Sequence, residues 1–151
     1  MSQPIDPALN TLLVITGMGV PPFSARGGIT QTLTPIPAKN AQKRTVNGTL
    51  VDVSAPQFQK YVSEISGLDC DPPALDGIWP GLILTVACVA ELSYLTGAAG
   101  APSRPAVAGS TRVEGGFTFY RPTIVFMVTN FSNSTDEWGS AVTWDIELEE
   151  V

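Results

Sequence analysis

Carboxylates and tryptophans are the side chains of this chain with the most scope for chemistry. Asp69, Asp71 and Asp76 cluster around Pro72-Pro73 and offer the hard oxygen ligands that calcium takes. An EF-hand loop also needs a central glycine and a closing glutamate. The glycine is absent and the glutamate position falls on Pro80, so capping and Asx-turn roles explain these aspartates better. Asp136-Glu137, Glu64 and Glu91 are candidate acids for a paired-carboxylate hydrolase, and nothing in their spacing selects a pair. The chain has no histidine, which removes Ser–His and Cys–His nucleophile pairs. With only Cys70 and Cys88 besides, a conventional zinc site is excluded as well. Gly17-Met18-Gly19 begins like a dinucleotide fingerprint, but the third glycine position is Pro22, and the segment reads as a turn. No catalytic residue, cofactor or metal ligand is assigned, and the chain is not expected to be an enzyme.

Trp79, Trp138 and Trp144, with Tyr120, have the chemistry of a sugar-stacking platform. Trp144 lies on the apolar face of a strand and is expected in the core. Trp79 and Trp138 flank turns, where tryptophans either plug the end of a sandwich or stand exposed for a ligand.

The elements that must position these residues read as strands. Val142, Trp144, Ile146 and Leu148 alternate with Thr143, Asp145, Glu147 and Glu149, the period of a half-buried antiparallel strand. Thr11 to Thr16 is a short apolar strand. Ile29 to Ile36 is a Thr-rich strand that Pro35 and Pro37 end or hold at a sheet edge. Asn47-Gly48 predicts a hairpin with arms Lys43–Val46 and Thr49–Val53; a single bulged strand is the rival. Gln57 to Ser66 is a strand or a short helix, followed by a Pro/Gly-rich loop from Asp69 to Gly81. Leu82 to Tyr94, apolar on both faces, predicts one central, doubly covered strand with Cys88 as a small core residue beside Leu84, Val86 and Leu92. Residues 96–116 are poor in large apolar groups and predict a long loop or arm. Phe117 to Tyr120 and Thr123 to Asn130 resume as strands around Pro122, and Ser132 to Glu137 is a polar turn. The expected fold is a single all-β, mainly antiparallel domain over residues 1–151: a β-sandwich or barrel with a long Gly/Ala/Pro-rich loop or arm.

Composition bounds the partners. The net charge of −6, with Lys43-Arg44 the sole adjacent basic pair, argues against nucleic acid. No apolar run reaches the roughly 20 residues that span a bilayer, so no membrane is expected. The amino-terminal residues lack the features of a signal peptide, which makes a cytoplasmic site of synthesis, and reduced cysteines, the expectation. A charged fraction of only 15% describes a quiet surface, of the kind that partners cover.

Three stretches carry a resemblance: Arg44-Thr-Val-Asn-Gly-Thr-Leu-Val-Asp-Val-Ser, Phe58-Gln-Lys-Tyr, and Pro73-Ala-Leu-Asp-Gly-Ile-Trp-Pro-Gly81. With the closing segment Asp136-Glu-Trp-Gly to Val151, they resemble small structural proteins of tailed bacteriophages. The resemblance implies a virion subunit assembled in the host cytoplasm, from the tail, baseplate, neck or capsid surface. It implies homo-oligomeric contacts with copies of itself and with other virion proteins, and it carries over no catalytic residues. The candidate contact elements are residues 1–10, the loop Asp69 to Pro80 and the stretch Ala98 to Gly116 of the arm, with Asp71, Trp79, Ala98, Arg104 and Arg112 as candidate contact residues.

Overall fold

A computed structural model of the chain describes residues 13–16, 28–36, 42–53, 55, 57, 59–69, 72–138 and 141–151. The fold is all-β and antiparallel, with no α-helix among the described residues. The main sheet has six strands. In chain order they are β1 (Val14–Ile15), β2 (Ile29–Pro35), β5 (Tyr61–Asp69), β6 (Ile83–Ala87), β10 (Thr123–Thr135) and β11 (Val142–Glu150). Their order across the sheet is β1-β6-β10-β11-β5-β2. A separate hairpin pairs β3 (Gln42–Arg44) with β4 (Leu50–Asp52). A three-stranded sheet orders β7 (Leu92–Leu95), β9 (Phe117–Tyr120) and β8 (Arg112–Glu114) as β7-β9-β8.

One face of the main sheet makes the core. Trp144, Ile146 and Leu148 of β11 meet Ile65 of β5, Leu84 and Val86 of β6, and Ile124, Phe126 and Val128 of β10 there. Full burial of each such aliphatic side chain contributes about 1.5–3 kcal/mol, which is why the alternation in β11 dictates its orientation. In β10 the inward positions are even-numbered up to Val128. A bulge between Val128 and Asn130 then shifts the register, and odd-numbered Phe131 falls opposite inward-facing Ile146. Leu75 and Ile78, from the loop that follows β5, complete the cluster.

A side chain draws the curled sheet towards closure. Gln31, on the inner side of edge strand β2, donates from Nε2 to Ser63 Oγ at 3.0 Å. Its Oε1 accepts from the backbone amides of Val89 (2.7 Å) and Ala90 (3.3 Å), just beyond β6 near the opposite edge. The primary amide thus spans the concave side where no backbone ladder joins β2 to β6.

Several expectations hold. Ile29–Pro35 is an edge strand, and Pro35 sits where its missing N–H leaves the ladder intact. Asn47-Gly48 turns a hairpin, with Gly48 at φ 81°. Trp144 and Cys88 are core residues, and Cys88 is a free thiol.

Other expectations are corrected. Leu82 to Tyr94 is two strands in two sheets: the β6–β10 ladder runs on to Cys88, whose N donates to Pro122 O, and Gln31 then captures the next two amides. Leu92 therefore does not share a strand with Cys88. β6 is not doubly covered either, since Ile83 is 53% exposed on its outer side. β5 extends through Asp69, which is a buried strand residue and not part of a loop. β10 runs on to Thr135, so the polar turn is shorter than Ser132 to Glu137.

Residues 96–116 are no free arm. Thr123 N donates to Pro105 O and Val107 N to Arg121 O, both at 2.8 Å, and Ala106 bridges to Pro122. The segment then supplies β8. Its low apolar content leaves these backbone bonds, together with Arg104, to hold it against the body.

Candidate interaction surfaces

The five candidate contact residues do not converge. Asp71, like the segment 1–10, lies outside the described residues. Ala98 is exposed in the turn after β7, its amide bonded to Leu95 O at 2.9 Å. Arg104 is built into the body. Its guanidinium makes two bonds to the Glu150 carboxylate (3.1 and 2.8 Å), donates to Gln59 O at 2.8 Å and lies 4.8 Å from the centre of the Tyr61 ring. Glu150 is on the inner side of β11 opposite Phe126, and it also accepts from Tyr61 N at 2.9 Å. The Glu150 partnership raises the pKa of Arg104 further above its ordinary value. Arg104 therefore serves the fold, as a clamp on residues 96–116, and presents little of itself to a neighbour.

Arg112 is exposed on the small sheet. It pairs with Glu91 (2.8 Å) and Glu114 (2.7 Å) and stacks 4.3 Å from the centre of the Phe119 ring. Its hydrogen bond holds the Glu91 carboxyl below the usual carboxylate range. Phe117 and Leu95 face each other on the same side of that sheet, both substantially exposed.

Trp79 is 70% exposed and lines a cavity of about 270 Å³ with Leu75, Asp76, Ile78, Phe131 and Asn133. The backbone beneath it is anchored: Ile78 N donates to Leu75 O and Leu82 N to Trp79 O. Trp138, in the turn after β10, is 89% exposed. Neither tryptophan plugs the end of the sheet.

Two surfaces escaped the sequence reading. The first is the outer face of the main sheet. Across neighbouring strands Ile83 stands opposite Met127, and Met127 opposite Glu149; Glu64 stands opposite Glu147. Val125 and Val151 extend the exposed apolar part, Val151 N donating to Val125 O. Like charges directly opposite each other on a sheet are unfavourable, and among the described residues no cation pairs with Glu64, Glu147 or Glu149. The signal was the run Ile124-Val-Phe-Met-Val128, in which the positions between the core residues are apolar too.

The second is the β3–β4 hairpin. Val46, Leu50, Val51 and Val53 are all exposed on it. Among the described residues β3 and β4 pack against each other and against no other strand. Lys43 stands opposite Val51 and Arg44 opposite Leu50. An isolated two-stranded hairpin is marginal in water, so a hairpin that leaves its apolar side chains bare gains from being covered.

Among the described residues no group of three or more His, Cys, Asp or Glu side chains is placed to hold a metal ion. No helix among them is long and apolar enough to cross a membrane. Comparison with protein-family models, with curated proteins and with solved structures finds no match to this chain.

Proposed function

We propose that this chain is a non-enzymatic structural subunit of a tailed-phage virion, associated with the tail or baseplate, that works through repeated contacts with copies of itself and with other virion proteins. The assignment to a phage rests on the resemblance of residues 44–54, 58–61, 73–81 and 136–151 to small proteins of such particles. The observation that carries the contact role is the β3–β4 hairpin, which exposes four valine and leucine side chains and, among the described residues, packs on no other strand. A projecting β-hairpin with bare apolar groups is a common means by which one β domain engages another. A capsid decoration protein would use the same surfaces. The test is mass spectrometry of gradient-purified particles from the source lysate. Recovery of the chain at a fixed, multiple copy number supports the reading, and its absence from intact particles overturns it.

A second reading, a glycan- or receptor-binding module at a virion tip, is favoured by Trp79. An indole held on an anchored loop, above a cavity that also offers Asp76 and Asn133, has the apolar face and polar rim that a pyranose ring requires. Saturable quenching of tryptophan fluorescence by simple hexoses, lost in Trp79→Ala, would support it. No quenching by any hexose would reject a stacking site there.

A further inference from the structure

The small sheet turns one face inward and leaves the other bare. Thr118 and Tyr120 of β9 are buried, whereas Leu95, Phe117, Arg112 and Glu114 on the opposite side are exposed. That bare face is two rows deep. Ser93, Phe119 and Arg112 stand opposite one another across β7, β9 and β8 in the first row, and Leu95, Phe117 and Glu114 in the second. Within each strand the two residues lie two positions apart, so all six side chains share the face. Arg112 is fixed there by Glu91, by Glu114 and by the Phe119 ring, with 53% of its side chain still exposed.

The two rows complement each other. A two-fold axis lying across the strands, midway between the rows, turns the face of a second copy onto the first and exchanges the rows. Arg112 then meets Glu114 of the second copy, Phe119 meets Phe117, and Ser93 meets Leu95. With the Arg112–Glu114 pair inside each copy, the four charges alternate around a closed square. An axis along the strands would instead set Leu95 on Glu114, apolar against charge, so the pattern selects the first axis. Two-fold pairing through the outer face of the main sheet would set Glu64, Glu147 and Glu149 near the same three acids, so that face does not compete.

We propose that two copies of this chain pair through the outer faces of their β7-β9-β8 sheets about such an axis, Phe117 of each copy packing on the Arg112–Phe119 stack of the other. This rests on the self-contact proposed above and names a surface for it. Sheets packed face to face lie about 10 Å apart with their strands within about 30° of each other. Three strands and two rows give a face on the order of 200–300 Å² per copy. That is well below the roughly 1,000 Å² total of a stable interface, so the pair is weak and forms as concentration rises.

Sedimentation velocity on the full chain, from about 10 μM to about 1 mM, tests it, and the wild type is expected to pair within that range. Arg112→Glu and Glu114→Arg should each weaken pairing by at least about tenfold, because like charges then meet across the axis. An equimolar mixture of the two variants should pair again, since every contact between position 112 of one copy and position 114 of the other is between opposite charges. Leu95→Asp puts a charge into the apolar row and should also suppress pairing. Circular dichroism verifies that the strands survive; should a charge variant unfold, Leu95→Asp reads the same face without it. A wild type that is monomeric up to about 1 mM overturns the proposal. So does a mixture of folded charge variants that fails to pair. Pairing that survives the substitutions overturns it as well, and places self-contact elsewhere, on the hairpin for example. None of these outcomes decides the virion role, which the composition of purified particles tests separately.

Discussion

The indole of Trp144 occupies the space that a side chain at Gly67 would need. The two residues are direct cross-strand partners in β11 and β5, and a β-carbon on Gly67 would fall 2.7 Å from Cζ2 of the ring. Trp144 is fully buried, so the ring has no free direction in which to swing. Its Nε1 donates to Asp69 Oδ2 at 3.0 Å, two positions further along β5. Glycine, tryptophan and aspartate thus form one unit: the gap, the ring that fills it and the acceptor that satisfies the ring's N–H.

Gly67→Ala is expected to destabilise the protein by about 1–3 kcal/mol through overpacking. Trp144→Leu, although damaging itself, removes the clash, so the alanine should cost little in that background. Urea unfolding of the four proteins of this double-mutant cycle checks the coupling. Additive losses would mean that the ring and the missing side chain do not compete for one space.

Replacing Gln31 by alanine removes three hydrogen bonds, two of them from the amides of Val89 and Ala90. Stripping the acceptor from partly buried donors costs about 1–3 kcal/mol. Hydrogen exchange is the sharper readout. Protection of the Val89 and Ala90 amides should fall well before that of the β10–β11 ladder, since closure is lost while the sheet centre remains.

Arg104→Met should loosen residues 96–110 while leaving the core in place. The pair with Glu150 is only slightly exposed, so the loss is expected at about 1–3 kcal/mol, above that of a surface ion pair. Limited proteolysis checks it: new cleavage between Thr96 and Ser110 is the expected outcome. Unchanged cleavage would mean that the backbone bonds of 105–107 suffice to hold the segment.

Burial pushes the Cys88 thiol up from its ordinary value of 9.0 to about 11. The folded state therefore keeps a proton that the unfolded chain releases. The resulting stability is fully present below pH 9 and is lost as the pH rises to about 11, with a slope of at most about 1.4 kcal/mol per pH unit. Cys88→Ala should flatten the alkaline limb relative to wild type in urea melts at pH 8 to 11. Alkylation of native Cys88 at pH 8 should also be far slower than that of the unfolded chain.

Local patterns in the sequence suffice for the strands themselves. The alternation from Val142 to Glu149 orients β11, Asn47-Gly48 turns the hairpin, and Pro35 marks an edge, because each depends on neighbours within a few residues. What the tertiary structure alone decided concerns partners far apart in the chain. Leu82 to Tyr94 looks continuous but breaks at Cys88, where Gln31, 58 residues from Val89, takes the amides that a strand would have used. Residues 96–116 look like an arm but are pinned by Arg104 to Glu150, 46 residues away. Val125 and Met127 have the composition of core residues. Only the strand order, with β10 between β6 and β11 and the core on its other face, turns them to solvent beside Glu149. Side-chain period specifies which residues share a face; the long-range pairings, and what covers each face, determine which face is free to meet another molecule.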